Sequence, residues 1–405
     1  MKRPAAVVVA GAAIALASGC ASSSPASSAG GSAASDAPVN VMMESQITGA
    51  DFGSPETAYA AQAVVKQINA AGGIKGTKLN LIVCDDKENP NVAASCARTA
   101  VADHVAAVIA GISVNAQATL PVLQAANIPW ITVYPVTPIE YTSPDSFPLT
   151  GGSASLLPAQ GAYMPEHGCT KVGVVADAIS QAQASADQMV AGIEAGGGTV
   201  VSRQTISAQT ADVGPAIAAI LHAGATCIGE AVTPADTVKV LNAVHQSSDP
   251  NILQVSQASI LPASLLHVVG AAANGVVVMS GPYLPADARL AAFRTLMAPD
   301  GTNGLTTFAQ NVVGGFQYFA DVAKQVPGQV TSASLLAQLR KAGPMQLNIL
   351  PKPVSFQTPG PVSGYARIVN LDSLAYKVQN GTFVLAQSAT VSATAGLQKY
   401  ASSHS

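Results

Sequence analysis

From Val39 onward, short aliphatic runs alternate with helix-length segments, and this alternation constrains the fold more than any other feature of the chain. The strand-like runs are residues 39–43, 79–84, 106–110, 130–133, 171–176, 199–205, 227–232, 252–255 and 275–278. Between them lie helix patterns at 55–70, 91–103, 116–126, 183–195, 211–223 and 234–246. Strands that are apolar throughout, joined by helices, predict parallel sheets covered on both faces. There are too many such units for one sheet. The expectation is an α/β fold of two doubly wound, parallel-sheet lobes.

Turn-rich breaks at 143–155, 279–285 and 350–361 divide this pattern. Helix patterns resume after the second break, at 288–297 and 308–325. Short strands follow the third, around 364–370, 374–378 and 383–386, with a turn at Asn380-Gly381. Three breaks predict three crossovers between the lobes. The division is residues 39–149 plus 283–349 for the first lobe, 150–282 plus 350–387 for the second, and 388–405 as a C-terminal tail.

Apolar residues make up 49% of the 405 and charged residues only 10%, the opposite of a disordered chain. Nineteen basic against 22 acidic residues, with no basic block, leave no footprint for nucleic acid. The N-terminus carries its own signal. Met1-Lys2-Arg3 give a basic start, residues 4–17 are small and apolar, and Ala17-Ser18-Gly19-Cys20 follows. That layout predicts a secretory signal too short for an ordinary membrane span. The four residues ending in Cys20 resemble the lipobox of bacterial lipoproteins, although Ala17 stands where Leu is usual. The expectation is a lipoprotein signal peptide at 1–19 and a lipidated Cys20. The Ser/Ala-rich residues after it, to 38, read as a flexible tether. The alternative is a plain secretory signal.

Export suits the remaining cysteines, Cys84, Cys96, Cys169 and Cys227, an even number for an oxidising compartment. Cys84 ends a strand pattern and Cys96 lies in the next helix pattern. Cys169 precedes one strand and Cys227 opens another. This placement favours Cys84–Cys96 and Cys169–Cys227, against four buried thiols. No CxxC spacing occurs and the His are scattered, so no metal site is expected. No GxSxG, HExxH, Walker A or strand-borne GxGxxG motif is present, and neither an enzyme activity nor a cofactor is expected.

Residues 68–76, Ile-Asn-Ala-Ala-Gly-Gly-Ile-Lys-Gly, followed by a strand ending in Asp85-Asp86, resemble the branched-chain amino-acid-binding proteins of bacterial ABC importers. Looser similarity runs through most of 39–387. The resemblance implies a type I periplasmic-binding fold: a bilobal receptor, monomeric, that closes on a small solute and delivers it to a permease and ATPase complex. It implies a site on the outer face of the cytoplasmic membrane, held there by lipid. The alternatives are a sensing lipoprotein of the same fold without a transport partner, and an exported hydrolase.

Ligands of open α/β sheets bind beyond the carboxyl ends of strands. In the first lobe those loops offer Phe52, Ser113, Asn115, Tyr134, Val136 and Thr137. Phe52 matches a family position over the ligand, or packs on its lobe. Ser113 and Asn115 hold ligand oxygens, or cap a helix. Val136 and Thr137 would contribute backbone and hydroxyl, and Tyr134 stacks on the ligand or sits in the core. The second lobe offers Asp177, Thr233 and Gln257. It lacks the family's aromatics in residues 177–183 and 233–235. Around Gln257 it lacks the carboxylate that meets a ligand ammonium. An uncompensated buried ammonium is unfavourable, so the expected solute is an amide or small apolar acid rather than an α-amino acid. Glu44 or Asp177 could instead supply the charge.

Overall fold

A computed structural model of the chain describes residues 37–49, 53–207, 209–301 and 304–404. Cys20, the expected signal peptide and Phe52 lie outside the described residues. The first sheet is built from β1 (Val39–Ser45), β2 (Leu79–Asp85), β3 (Val108–Ala110), β4 (Trp130–Thr132) and β5 (Ser146–Pro148), in the order β2-β1-β3-β4-β5. All its pairings are parallel. The connecting helices are α1 (Glu56–Ala70), α2 (Pro90–Ala102), α3 (Ala116–Ala125) and the short α4 (Pro138–Thr142).

The chain then enters a second sheet through α5 (Gly152–Glu166). There β6 (Lys171–Asp177), β7 (Thr199–Ile206), β8 (Cys227–Ala231), β9 (Leu253–Gln257) and β10 (Val277–Ser280) run parallel. Their helices are α6 (Ser180–Ala195), α7 (Gly214–His222), α8 (Pro234–His245) and α9 (Ala263–Val269). The next elements, α10 (Ala291–Met297), α11 (Thr307–Ala323) and α12 (Ser332–Leu339), return to the first lobe. There Val312, Phe316, Phe319, Leu335 and Leu339 complete the core of Val41, Met43, Val64 and Ile109. A last passage brings β11 (Asp372–Gln379), β12 (Thr382–Leu385), β13 (Val391–Ser392) and α13 (Thr394–Ser403) to the second sheet.

Two lobes of parallel-sheet α/β structure are therefore present, and the chain passes between them three times. The second sheet departs from the doubly wound expectation at one edge, where β11 pairs antiparallel with β10, β12 and β13. Several local expectations are corrected. The break at 143–155 contains β5 and the start of α5. Residues 364–370 are turns and irregular chain rather than a strand. Residues 388–405, set apart as a tail, include β13 and α13, whose Leu397 is buried with Leu157 and Met189 in the second core.

The 68–76 run has a local physical cause. α1 ends there, and Asn69 uses its side chain as a clamp on the first residue of β2. Its Nδ2 donates to the Leu79 carbonyl at 2.9 Å, and its Oδ1 accepts from the Leu79 N–H at 2.7 Å. Gly73, at φ +73°, has no room for a Cβ, which would lie 2.1 Å from the Thr77 carbonyl oxygen. Both expected disulfides are formed. Cys84–Cys96 ties β2 to α2, and Cys169–Cys227 ties the approach to β6 to the start of β8.

The three crossovers run side by side. A Cβ on Gly281 in the second would meet Thr150 in the first at 3.3 Å, and the Tyr283 N–H donates to Ile349 at the start of the third. In the third, Arg367 lies over the rings of Phe147 and Phe356, 4.7 and 4.8 Å from their centroids, and its Nε donates to the Ser146 carbonyl. Burial pulls its guanidinium down to about 10.

Candidate functional site

In both sheets the strand order reverses beside the first strand of the lobe, between β1 and β3 and between β6 and β8. Loops leaving the carboxyl ends of such neighbours part to opposite faces and leave a crevice. A cavity of about 250 Å³ lies there, walled by both lobes. Ile112 follows β3, Tyr134 follows β4, and Phe308 opens α11. Opposite them stand Asp177 at the end of β6 with Ile179 beyond it, Val232 and Thr233 after β8, and Gln257 at the end of β9 with Ser259 and Ile260 beyond it. The walls are mainly apolar, with a few convergent polar groups, as in small-molecule sites generally.

Of the residues expected from sequence, Tyr134, Asp177, Thr233 and Gln257 meet at this cavity. Asp177 ends β6 and is only 3% exposed. Its Oδ2 accepts the Thr233 N–H at 2.7 Å, while its Oδ1 has no partner within the protein. Thr233 caps α8 by accepting the Asp236 N–H. Burial is the main cause that pushes the Asp177 carboxyl up to about 6. The Thr233 N–H opposes the shift and the nearby Asp236 adds to it. Tyr134 reaches across from the first lobe, and its phenol interacts with Ser259 of the second; burial pushes it up to about 12.

The other expected residues do not line the cavity. The Ser113 hydroxyl donates to Asp86 Oδ2 at 2.5 Å, and the Asn115 N–H donates to Ser113 Oγ at 3.1 Å. Both serve the loop that leads into α3. Burial raises the Asp86 carboxyl, against the lowering effect of the Ser113 bond. Thr137 begins α4 in a reciprocal cap with Glu140. Its Oγ1 and N–H both donate to Glu140 Oε2 at 2.8 Å, and the Val136 N–H does so at 2.9 Å. Glu140 Oε1 takes the Trp130 indole N–H at 3.1 Å.

Sequence reading missed Ile112, Ile179, Gln181, Ser185, Ser259, Ile260 and Phe308 on the cavity wall. Ile179 was reachable, because it stands in the loop after β6, two residues beyond Asp177. Phe308 carried no signal, since it reads as one more apolar residue of a helix. Among the described residues no group of His, Cys, Asp or Glu could hold a metal ion, and no helix is long and apolar enough to cross a membrane.

The profile of the periplasmic binding protein family matches residues 45–375. The chain belongs to the periplasmic binding protein family. This periplasmic binding protein is similar in fold to several solved structures. One is the branched-chain amino acid transporter substrate binding protein LivJ of Streptococcus pneumoniae, in complex with isoleucine. It is 18% identical, with a TM-score of 0.68, over 88% of this chain and 99% of that one. A second is a solute binding protein of an ABC transporter from Rhodopseudomonas palustris BisB5, in complex with 3,4-dihydroxy benzoic acid. It is 20% identical, with a TM-score of 0.69, over 88% and 98%. A third is the leucine binding protein LivK of Thermotoga maritima, 13% identical, with a TM-score of 0.66, over 87% and 99%. No curated protein matches the chain. The family is one of extracytoplasmic solute-binding proteins rather than enzymes.

Two further carboxyls of this periplasmic binding protein are buried within its sheets, one in each lobe. Glu44, in β1, is fully buried, and its Oε1 accepts from the Thr119 hydroxyl of α3 at 2.9 Å. Glu230, in β8, accepts from the Thr237 hydroxyl of α8. Burial pushes each up to about 8, against the lowering effect of the threonine bond. Glu44 is thus a buried, mostly neutral acid rather than a counter-charge at a loop end, and of the two acids considered for that role only Asp177 lines the cavity.

Proposed function

We propose that the chain is an extracytoplasmic solute receptor of an ABC importer, anchored by lipid at Cys20, that closes its two lobes over one small solute and hands it to a permease and ATPase complex. The observation carrying this reading is the cavity between the carboxyl ends of the two parallel sheets, with Tyr134 of one lobe meeting Ser259 of the other across it. The parallel crossovers support hinge motion, because three adjacent strands of backbone can twist together while each lobe keeps its own core. The bodies that move are residues 39–149 with 283–349 and residues 150–282 with 350–404, the second including β13 and α13. Tyr134, Asp177, Thr233 and Gln257 contact the solute. Ser113, Asn115, Val136 and Thr137 shape the loops of the first lobe. The solute is small and largely apolar: an amino-acid-like molecule, an amide or another weakly polar compound. The relatives solved with isoleucine and with a dihydroxybenzoic acid support that size range.

The test is mass spectrometry of small molecules released from the purified protein, followed by X-ray scattering with and without the released compound. A stoichiometric solute that contracts the particle is the expected result. A protein that yields no solute and keeps its dimensions with every extract fraction would refute the reading. Membrane fractionation of Cys20→Ala tests the anchor: release from the membrane is expected, and unchanged retention would count against lipidation at Cys20.

A further inference from the structure

The two sheets end in four edge strands, and three of these edges are blunted. β5 has three residues, closes with Pro148 and gives its Ser146 carbonyl to Arg367. β7 is irregular in register against β6 and carries Arg203, which pairs with Asp187. β12 has four residues. β2 is the exception. It runs for seven residues in unbroken register with β1, and from Leu79 to Cys84 it contains neither charge nor proline. A long, regular, uncharged edge is a template for another strand. We propose that β2 is a self-association edge, on which β2 of a second copy of this chain pairs antiparallel about a two-fold axis. The receptor is then a dimer rather than the monomer expected from sequence.

The backbone shows which groups are free to pair. The Val39 N–H donates to the Lys78 carbonyl, and the Asp86 N–H donates to the Ser45 carbonyl. Bonding alternates along a parallel pair, so Asn80, Ile82 and Cys84 turn their N–H and C=O groups to β1, while Leu79, Leu81 and Val83 turn theirs outward. At Leu79 both outward groups are taken by the Asn69 side chain. At Leu81 and Val83, among the described residues, no group of the chain takes them. A second β2 placed with Ile82 on the two-fold axis sets Leu81 opposite Val83 of the other copy, a pair that exchanges both backbone bonds.

Side chains and charges fit the same arrangement. Leu81 packs against the first core, and Val83, next along the same face, is 36% exposed. The pairing lays Val83 of each copy against Leu81 of the other. The ends of β2 are opposite in charge. Lys75 and Lys78 precede it, and Asp85, Asp86 and Glu88 close it, with Lys87 among them. Both preceding lysines donate to backbone carbonyls, which leaves their charge uncompensated. Antiparallel pairing sets Lys78 of one copy beside the acidic end of the other, whereas a parallel pairing would bring like ends together. Apolar stretch and charged ends are thus self-complementary, which selects a second copy over an unrelated strand. The crossovers run beside β5, at the far end of the sheet from β2, so the pairing leaves the lobes free to close.

Sedimentation velocity on the Cys20→Ala protein, which keeps lipid out of the measurement, tests the pairing over ~1–100 µM. A monomer–dimer equilibrium is expected, weakened by salt as the paired ends are screened. Val83→Lys puts on the edge the residue that natural edges use against pairing, and should raise the dimer dissociation constant at least ~10-fold. Lys78→Glu, at an exposed position that the core does not use, should also weaken the dimer by setting acid against acid. Hydrogen exchange gives the location: the amides of Leu81 and Val83 should gain protection as concentration rises, and those of β7 and β12 should not. A chain that stays monomeric at the top of the range would overturn the proposal. So would a dimer that survives both substitutions, or one whose added protection falls outside β2. Protection of Leu81 and Val83 by another protein, without self-association, would overturn the choice of a second copy.

Discussion

Thr137 and Glu140 show how a side chain that looks available to a ligand can be fully engaged within its own lobe. Sequence reading expected Thr137 to hold solute oxygen, but its hydroxyl and N–H both bond Glu140. The expected outcome for Thr137→Ala is therefore a loss of ~1 kcal/mol in stability, the usual value of a helix cap, with solute affinity unchanged. Chemical denaturation beside calorimetry separates the two effects, and a weakened solute with unaltered stability would contradict this assignment. Glu44 and Glu230 make a second prediction. Both carboxyls are raised from the usual range to about 8 in the folded protein, so the native state holds protons that the unfolded chain has released. Stability must then fall as pH rises from about 4.5 to about 8, by at most ~1.4 kcal/mol per pH unit for each group. Glu44→Gln and Glu230→Gln should flatten that slope, with an advantage over wild type that grows toward pH 8. Denaturant midpoints across the range would show it, and parallel curves would count against the buried neutral acids. The site was legible where residues end strands, as Asp177 and Gln257 do. It was illegible where capping decides: the Thr137–Glu140 spacing is a capping signature in the sequence, and its mechanism outranks the loop position.

At the scale of elements, periodicity found most strands and helices within a few residues, because each had one polar face or one bounded apolar run. It failed at α5. From Gly152 to Met164 every residue is buried, between the second sheet and α6 and α13, so no polar face marks it as a helix. Its first residues, Gly152 to Ser155, read instead as the end of the turn-rich break at 143–155, and the rest shows no helix pattern. The small residues of α5 serve close packing. A Cβ on Gly192 of α6 would lie 2.1 Å from the Pro158 carbonyl oxygen of α5, and one on Gly161 of α5 would lie 2.1 Å from the Met189 carbonyl oxygen of α6. Gly192→Ala should therefore destabilise the protein by about 1–3 kcal/mol through overpacking, although alanine is the better helix former by about 1 kcal/mol. Thermal melting decides the sign, and a stabilised variant would show that the helices can separate freely. The disulfides differ in reach. Cys84–Cys96 spans 12 residues and Cys169–Cys227 spans 58, so on loop-entropy grounds their removal should lower stability by about 3 and about 4 kcal/mol respectively. Unfolding of the paired-serine variants would rank them, and equal losses would point away from loop entropy.

At the scale of the molecule, closure depends on contacts that one lobe makes with the other, and Tyr134 with Ser259 is such a contact. Tyr134→Phe keeps the ring and removes the hydroxyl, so solute binding should weaken by about 0.5–1.5 kcal/mol, the net value of one hydrogen bond. The scattering radius of the solute-free protein should shift toward the open form, and an unchanged radius and affinity would show that the hydroxyl does not contribute to closure. The order of the chain carries a further consequence, for biosynthesis. The first sheet has all its strands once Pro148 has been made, yet the helices that seal one of its faces, α11 and α12, begin only at Thr307 and Ser332. The whole parallel part of the second sheet is synthesised in between. A chain emerging N-terminus first therefore holds an unsealed apolar face through a long stretch of its own synthesis, and the second lobe is completed later still, by β11 to α13. Truncation at any crossover should yield an aggregating fragment rather than an isolated lobe. A circular permutant that joins residues 288–350 directly to the first sheet should remove the delay.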